Sequence, residues 1–264
     1  MSDNNRGSDK KNKLKQYFFV VRQLAAKEIK HENSSKKFGQ IWNILLPFVQ
    51  MITMAVLFAF VFQKDIKEFM PYVFTGTIVY GFYNNAMSGC LKALSANKGL
   101  LIRTKIPKNL FVAEKVYAAF IRMLFSLVGY VIILIVTGTT VGPLVVLAPV
   151  GILFAVFISA GIGKILAVIN VYFADISYFY KILMKLVFYG SAIFFQVERA
   201  SPAVQSIMGF NPIYLTICFE RNCILYNQIS EPLIWVKLII YSIVIFLIGS
   251  VVFKKGSQDV VAKL

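Results

Sequence analysis

Uncharged apolar runs separated by short polar breaks occupy most of the chain. Three are unambiguous: Ile41 to Gln63, Phe69 to Leu91 and Val141 to Gly163, each 23 residues long and sufficient to cross a hydrocarbon layer of about 30 Å. Three more carry one or two charges. Val116 to Val136 holds Arg122, Ser177 to Gln196 holds Lys181 and Lys185, and Leu233 to Phe253 holds Lys237. The pattern predicts an all-α polytopic membrane protein with six transmembrane helices, at about 41–63, 69–91, 116–136, 141–163, 177–196 and 233–253. A basic cytosolic arm (1–40) precedes them and a cytosolic tail (254–264) follows.

Three segments outside the spans keep a pattern of their own. Residues 14–30 place Leu14, Phe18, Val21, Ala25 and Ile29 on one side of a helix and Lys15, Arg22, Lys27 and Lys30 on the other, with Phe19 and Glu28 as imperfections. Such a basic interfacial helix serves either as an anchor on membrane lipids or as a docking element for a partner. Ser95 to Asn109 sets Lys98, Arg103, Lys105 and Lys108 around Leu100, Leu101 and Ile102, and Pro107 stops it. This is either a solvated basic loop or a contact surface, and three adjacent large aliphatics favour contact. Residues 197–232 are too long for a structureless connector and are rich in apolar side chains. Asn211-Pro212 divides them into two pieces, each too short to span, which either dip into the outer leaflet as re-entrant helices or lie on the surface as an external hairpin.

Composition sharpens this picture. With 58% apolar and 15% charged residues and a mean hydropathy of +0.70, the chain is not a soluble globular domain. Its net charge of +16 is therefore not the footprint of a nucleic-acid binder. Of the 28 Lys and Arg, 22 fall in alternate segments that include both termini and only four in the others. The asymmetry places both termini in the cytosol and reads as topology, with no acidic substrate required.

The chemistry that is missing narrows the function. No G-x-x-x-x-G-K-[ST] occurs, and Gly163-Lys164 is followed by Ile165. Cys90, Cys218, Cys223 and the lone His31 match no metal spacing, and no Asp, Glu or His falls within a predicted span. These absences disfavour an ATPase, a proton-driven carrier and an intramembrane acid–base enzyme. Any energy source lies on another chain. On the second span Tyr72, Gly76, Tyr80 and Tyr83 recur at helical spacing, followed by Asn84 and Ser88. Their rings and hydroxyls suit either a pore wall for sugars and lipid-linked amphiphiles or interfacial belts and helix packing. Arg122 either snorkels to headgroups or faces a cavity and meets a phosphate.

Taken in order along the six spans, several local runs resemble the membrane subunit of type-2 ABC exporters of lipid-linked polysaccharides, the permeases for O-antigen, capsule or teichoic acid. They are Phe38-Gly39-Gln40-Ile41-Trp42 with Leu46-Pro47, Asn97 to Pro107, Asn170 to Ile176, Asn211-Pro212 with Arg221, and Phe253-Lys254-Lys255. The resemblance implies a homodimeric channel in the bacterial cytoplasmic membrane, driven by two copies of a separate ATPase subunit that bind ATP and Mg, with no cofactor in this chain. It implies an ATPase-coupling surface at the amphipathic N-terminal helix and at Leu100, Leu101, Ile102, Arg103, Lys105 and Pro107. It also implies paired gate helices at the outer mouth, around Asn211, Pro212 and Arg221. The channel-lining candidates are Tyr72, Tyr80, Tyr83, Asn84 and Arg122. One departure stands out: Ala174-Asp175 occupies the place of a frequent Arg-Asp pair. A drug or small-lipid exporter of the same superfamily, and a non-transporting scaffold of a glycan-synthesis complex, are the alternatives.

Overall fold

The computed structural model describes residues 3–33, 41–103, 106–197 and 201–257, and among them there is no strand. The α-helices are α1 (Asp3–Asn33), α2 (Ile41–Val61), α3 (Ile66–Leu91), α4 (Lys98–Arg103), α5 (Asn109–Thr137), α6 (Ala148–Tyr172), α7 (Ile176–Tyr189), α8 (Pro202–Met208), α9 (Pro212–Ile224) and α10 (Pro232–Gly256).

Helix boundaries follow local chemistry. Proline opens α8, α9 and α10 at Pro202, Pro212 and Pro232, where its missing N–H has no helical partner to lose. Asp65 and Asn211 cap α3 and α9 by accepting the N–H of Lys67 and Ile213. Gly138, in the left-handed region at φ 70°, closes α5.

The core is centred on α3, whose Val73, Phe74, Phe82, Tyr83, Ala86 and Cys90 are buried. Helix α5 packs antiparallel to it, since Thr75 meets Tyr130 (Oγ1 to OH 2.6 Å) and Cys90 meets the Val112 carbonyl. Helix α7 is also antiparallel to α3: Tyr80 donates to the Met184 carbonyl, and Tyr180 donates to Asn84. Helices α6 and α10 run parallel and touch through backbone. A Cβ built on Gly249 would lie 2.2 Å from the Gly161 carbonyl oxygen, and one on Gly161 would lie 2.5 Å from that of Ile245. Beside this contact Lys164 donates to Ser250 Oγ at 2.9 Å and sits 3.8 Å from the Phe246 ring centroid. A hydroxyl and a π-face thus compensate an ammonium inside an apolar helix.

Among the described residues three helical stretches are long and apolar enough to cross a membrane: Asn109–Thr137, Pro143–Tyr172 and Pro232–Gly256. The boundaries depart most from the sequence expectation in three runs. The third run starts earlier, at Asn109. The fourth is shifted, because Pro143 opens a 3-10 turn through Leu147 and the α-helix continues to Tyr172. The fifth is shortened: α7 ends at Tyr189 after 14 residues, about 21 Å of helix. The chain beyond Gly190 keeps the apolar composition of a span but leaves the helix, a break that hydropathy alone does not register. Residues 201–232 form two short helices divided at Asn211-Pro212, and α1 extends well beyond the expected 14–30.

Candidate functional site

The break after α7 exposes a row of carbonyls that no helix satisfies, and side chains from two other helices satisfy them. Asn211 Nδ2 donates to the Gly190 carbonyl at 3.2 Å and to Ser191 Oγ at 3.0 Å. Arg221 donates to the Ala192 carbonyl at 3.1 Å and the Ile193 carbonyl at 3.0 Å. Tyr72 donates its hydroxyl to the Phe195 carbonyl at 2.8 Å. Arg221 also reaches the Tyr72 carbonyl through Nε and Nη2 and stacks 3.4 Å from the Tyr72 ring centroid. Its approach requires Gly76, where a Cβ would stand 2.9 Å from the guanidinium. Within an apolar bundle every such carbonyl needs a donor. Tyr72, a pore candidate, and Asn211 and Arg221, gate candidates, therefore meet at one structural joint.

That joint seats α9 inside the bundle. Ile213, Leu215, Ile217 and Phe219 are buried, Thr216 bonds Tyr83 at 2.9 Å, and Phe219 packs edge-on against Phe154 and Trp235. Beyond its C-terminus Asn227 accepts the Leu144 N–H. A cavity of ≈ 750 Å³ opens beside this end, lined by Phe62, Lys64, Lys67, Tyr72, Phe195 and Tyr226 among others.

The other channel candidates separate. Tyr83 is wholly buried in protein and borders neither cavity. Tyr80 and Asn84 border a second cavity of ≈ 240 Å³ together with Gln50, Thr77, Asn85 and Ser126. Here α2 and α3 present Gln50, Thr53, Asn85 and Ser88 on the exposed surface of the bundle. Sequence reading reached Asn84 and Ser88 but missed Gln50 and Asn85. The signal lay in two polar residues recurring inside otherwise apolar runs.

Arg122, expected either to snorkel or to meet a phosphate, is engaged by α1. It pairs with Glu28 of α1 (Nη2 to Oε1 3.4 Å), and Lys115 holds the other carboxyl oxygen at 2.8 Å. Val21, Ala25 and Ile29 seat α1 against α5 around this pair, so the acid that marred the amphipathic pattern is the contact residue. Burial alone would raise the Glu28 carboxyl. Hydrogen bonds from Glu114 and Lys115 and the charges of Lys115 and Arg122 outweigh it and hold Glu28 well below the usual carboxylate range. A depressed folded-state value means that the contribution to α1 docking is complete above the unfolded value and is lost as pH falls toward the folded one. Glu28→Gln should weaken docking by about 1–2 kcal/mol, read as roughly tenfold faster hydrogen exchange in α1 at neutral pH, with the difference from native vanishing in acid.

In α4, Leu101 turns into the core while Leu100, Ile102 and Arg103 are exposed, as is Pro107. Leu101 is a packing residue, and the exposed apolar surface belongs to its two neighbours. Lys105 and Phe38-Gly39-Gln40 lie outside the described residues, as does the tail beyond Ser257.

No protein-family model matches the chain. Over 251 residues it is 23% identical to the O-antigen export system permease protein RfbA of Myxococcus xanthus, covering 93% of this chain and 95% of that protein. It is 20% identical to the RfbA protein of Klebsiella pneumoniae over 88% of this chain and 90% of that protein. It is also 20% identical to the polysialic acid transport protein KpsM of Escherichia coli, over 90% of this chain and 94% of that protein. The chain is homologous to permeases of type-2 ABC exporters. The alignments with these permeases run nearly end to end, so the inserted α9 and the polar face of α2 and α3 belong to the part of the chain that matches them.

Proposed function

We propose that this chain is the permease subunit of an ABC exporter that moves polyprenyl-linked polysaccharide or teichoic acid across the cytoplasmic membrane. The observation that carries the reading is the polar surface on α2 and α3. Gln50, Thr53, Asn85 and Ser88 are exposed together on largely apolar helices, and leaving the two amides against lipid is costly. A second copy facing this surface across a water-filled path removes that cost and encloses a route between the copies. In this reading α2, α3, α5, α6, α7 and α10 are the six crossings, both termini are cytosolic, and α8 and α9 are re-entrant gate helices at the outer mouth. Two copies of a separate ATPase bind ATP and Mg and act through α1 and the exposed Leu100, Ile102, Arg103 and Pro107.

The test is mass spectrometry of polyprenyl-linked glycans after depletion of the protein, together with labelling of surface glycans. Completed lipid-linked polymer should accumulate inside and disappear from the surface. Unchanged glycans in both places would overturn the polysaccharide assignment.

A further inference from the structure

One buried acid is used by none of the contacts above. Glu220 on α9 is 3% exposed, and its Oε1 has no hydrogen-bond partner. That oxygen faces α6, where a Cβ on Gly151 would lie only 2.3 Å away. The titratable groups within electrostatic reach are Tyr83 of α3, Tyr130 of α5 and Cys223 on α9 itself. On the α10 side, Trp235 packs on the adjacent Phe219. Neighbouring Arg221 offers no relief, because its guanidinium is directed to the carbonyls of Tyr72, Ala192 and Ile193. No cation among the described residues balances a charge at this position.

An ionised carboxylate in a packed seat with an unpartnered oxygen is strongly disfavoured, so the seated helix holds the acid form. Loss of the proton leaves an uncompensated charge beneath α9, and only movement toward water relieves it. Water is near: Leu225 and Tyr226, which follow α9, line the ≈ 750 Å³ cavity. We propose that Glu220 is a proton-dependent latch, α9 staying seated while this carboxyl is protonated and swinging toward the outer cavity when it is ionised. The inference rests on the reading of α9 as an outer-mouth element.

Cys223, 1% exposed on the same helix, reports the seat. In right-side-out membrane vesicles holding the permease with its ATPase, with Cys90 and Cys218 replaced by serine, its labelling is followed from about pH 6 to about pH 9, using membrane-permeant N-ethylmaleimide and an impermeant sulfonated maleimide. Glu220→Gln, which stays neutral throughout, gives the rise due to the thiol alone. The native protein should rise about tenfold more than this reference, and equal rises in the two would overturn the latch. Gly151→Ala, which drives a methyl group into the carboxyl, should be labelled at every pH. Labelling of this variant as slow as the native protein at low pH would also overturn it. If Glu220→Gln fails to accumulate, Gly151→Ala defines the open level: native labelling that reaches it at high pH supports the latch, and labelling that stays low refutes it. A pH response seen only with the permeant reagent upholds the latch and refutes the outer placement of α9, whereas failure of the glycan assay bears on the exporter reading alone.

Discussion

Replacing Arg221 with methionine is expected to cost about 3–5 kcal/mol and to remove most of the assembled protein from the membrane. Arg221 is 3% exposed, and its guanidinium serves three carbonyls, those of Tyr72, Ala192 and Ile193. Methionine fills much of the volume but donates nothing, so the Ala192 and Ile193 carbonyls are left buried and unpaired, at about 1–3 kcal/mol each. The loss falls on a turn already strained, since Ala192 has a positive φ of 49°, a conformation that disfavours a Cβ. Lysine keeps the charge but not the planar fork that reaches several acceptors at once, so Arg221→Lys should fall between. Thermal unfolding of the detergent-solubilised protein, followed by its monodisperse fraction, is the measurement. A native midpoint in the methionine variant would show that the break after α7 is held by other contacts.

Gly249→Val is expected to be nearly as damaging, for a steric reason. At this crossing the backbones of α6 and α10 meet, and a Cβ would lie 2.2 Å from the Gly161 carbonyl oxygen. No rotamer of a flexible side chain absorbs such an overlap, so the two helices must separate, at about 3 kcal/mol or more. Separation also withdraws Ser250 and Phe246 from Lys164, leaving an ammonium inside an apolar helix. Loss of a cysteine cross-link engineered across the α6–α10 contact would report it directly. An intact cross-link at native yield would mean that the crossing is looser than described.

The helices were largely legible in the sequence because apolar runs, prolines and capping residues are local signals. Asn211-Pro212 divided the segment before the last span, and the structure begins α9 at that proline. The end of α7 was not legible, because Gly190 to Gln196 is as apolar as a span. What ends the helix there is a set of donors on distant elements, Asn211, Arg221 and Tyr72. The same limit applies to charges. Arg122 was visible as an unusual residue, but its partner Glu28 is 94 residues away in sequence. Glu220 does not stand out among the acids of the sequence because α9 is not a span, although the residue is only 3% exposed. Leu101 was grouped with its neighbours as a surface triplet, whereas helical rotation separates it from them.

The parallel contact of α6 with α10 also bears on the order in which the protein is made. The glycine-lined groove and Lys164 leave the ribosome well before the surface that covers them, since Ser250 lies 86 residues after Lys164 in sequence. At about 5–20 residues per second, that is roughly 4–17 s. Throughout this interval the ammonium lacks Ser250 and Phe246, and lipid or the insertion machinery must shelter the groove. The last helix to enter the membrane thus completes one of the earlier ones, and a ribosome that stalls before Pro232 releases a chain with an open, charged seam.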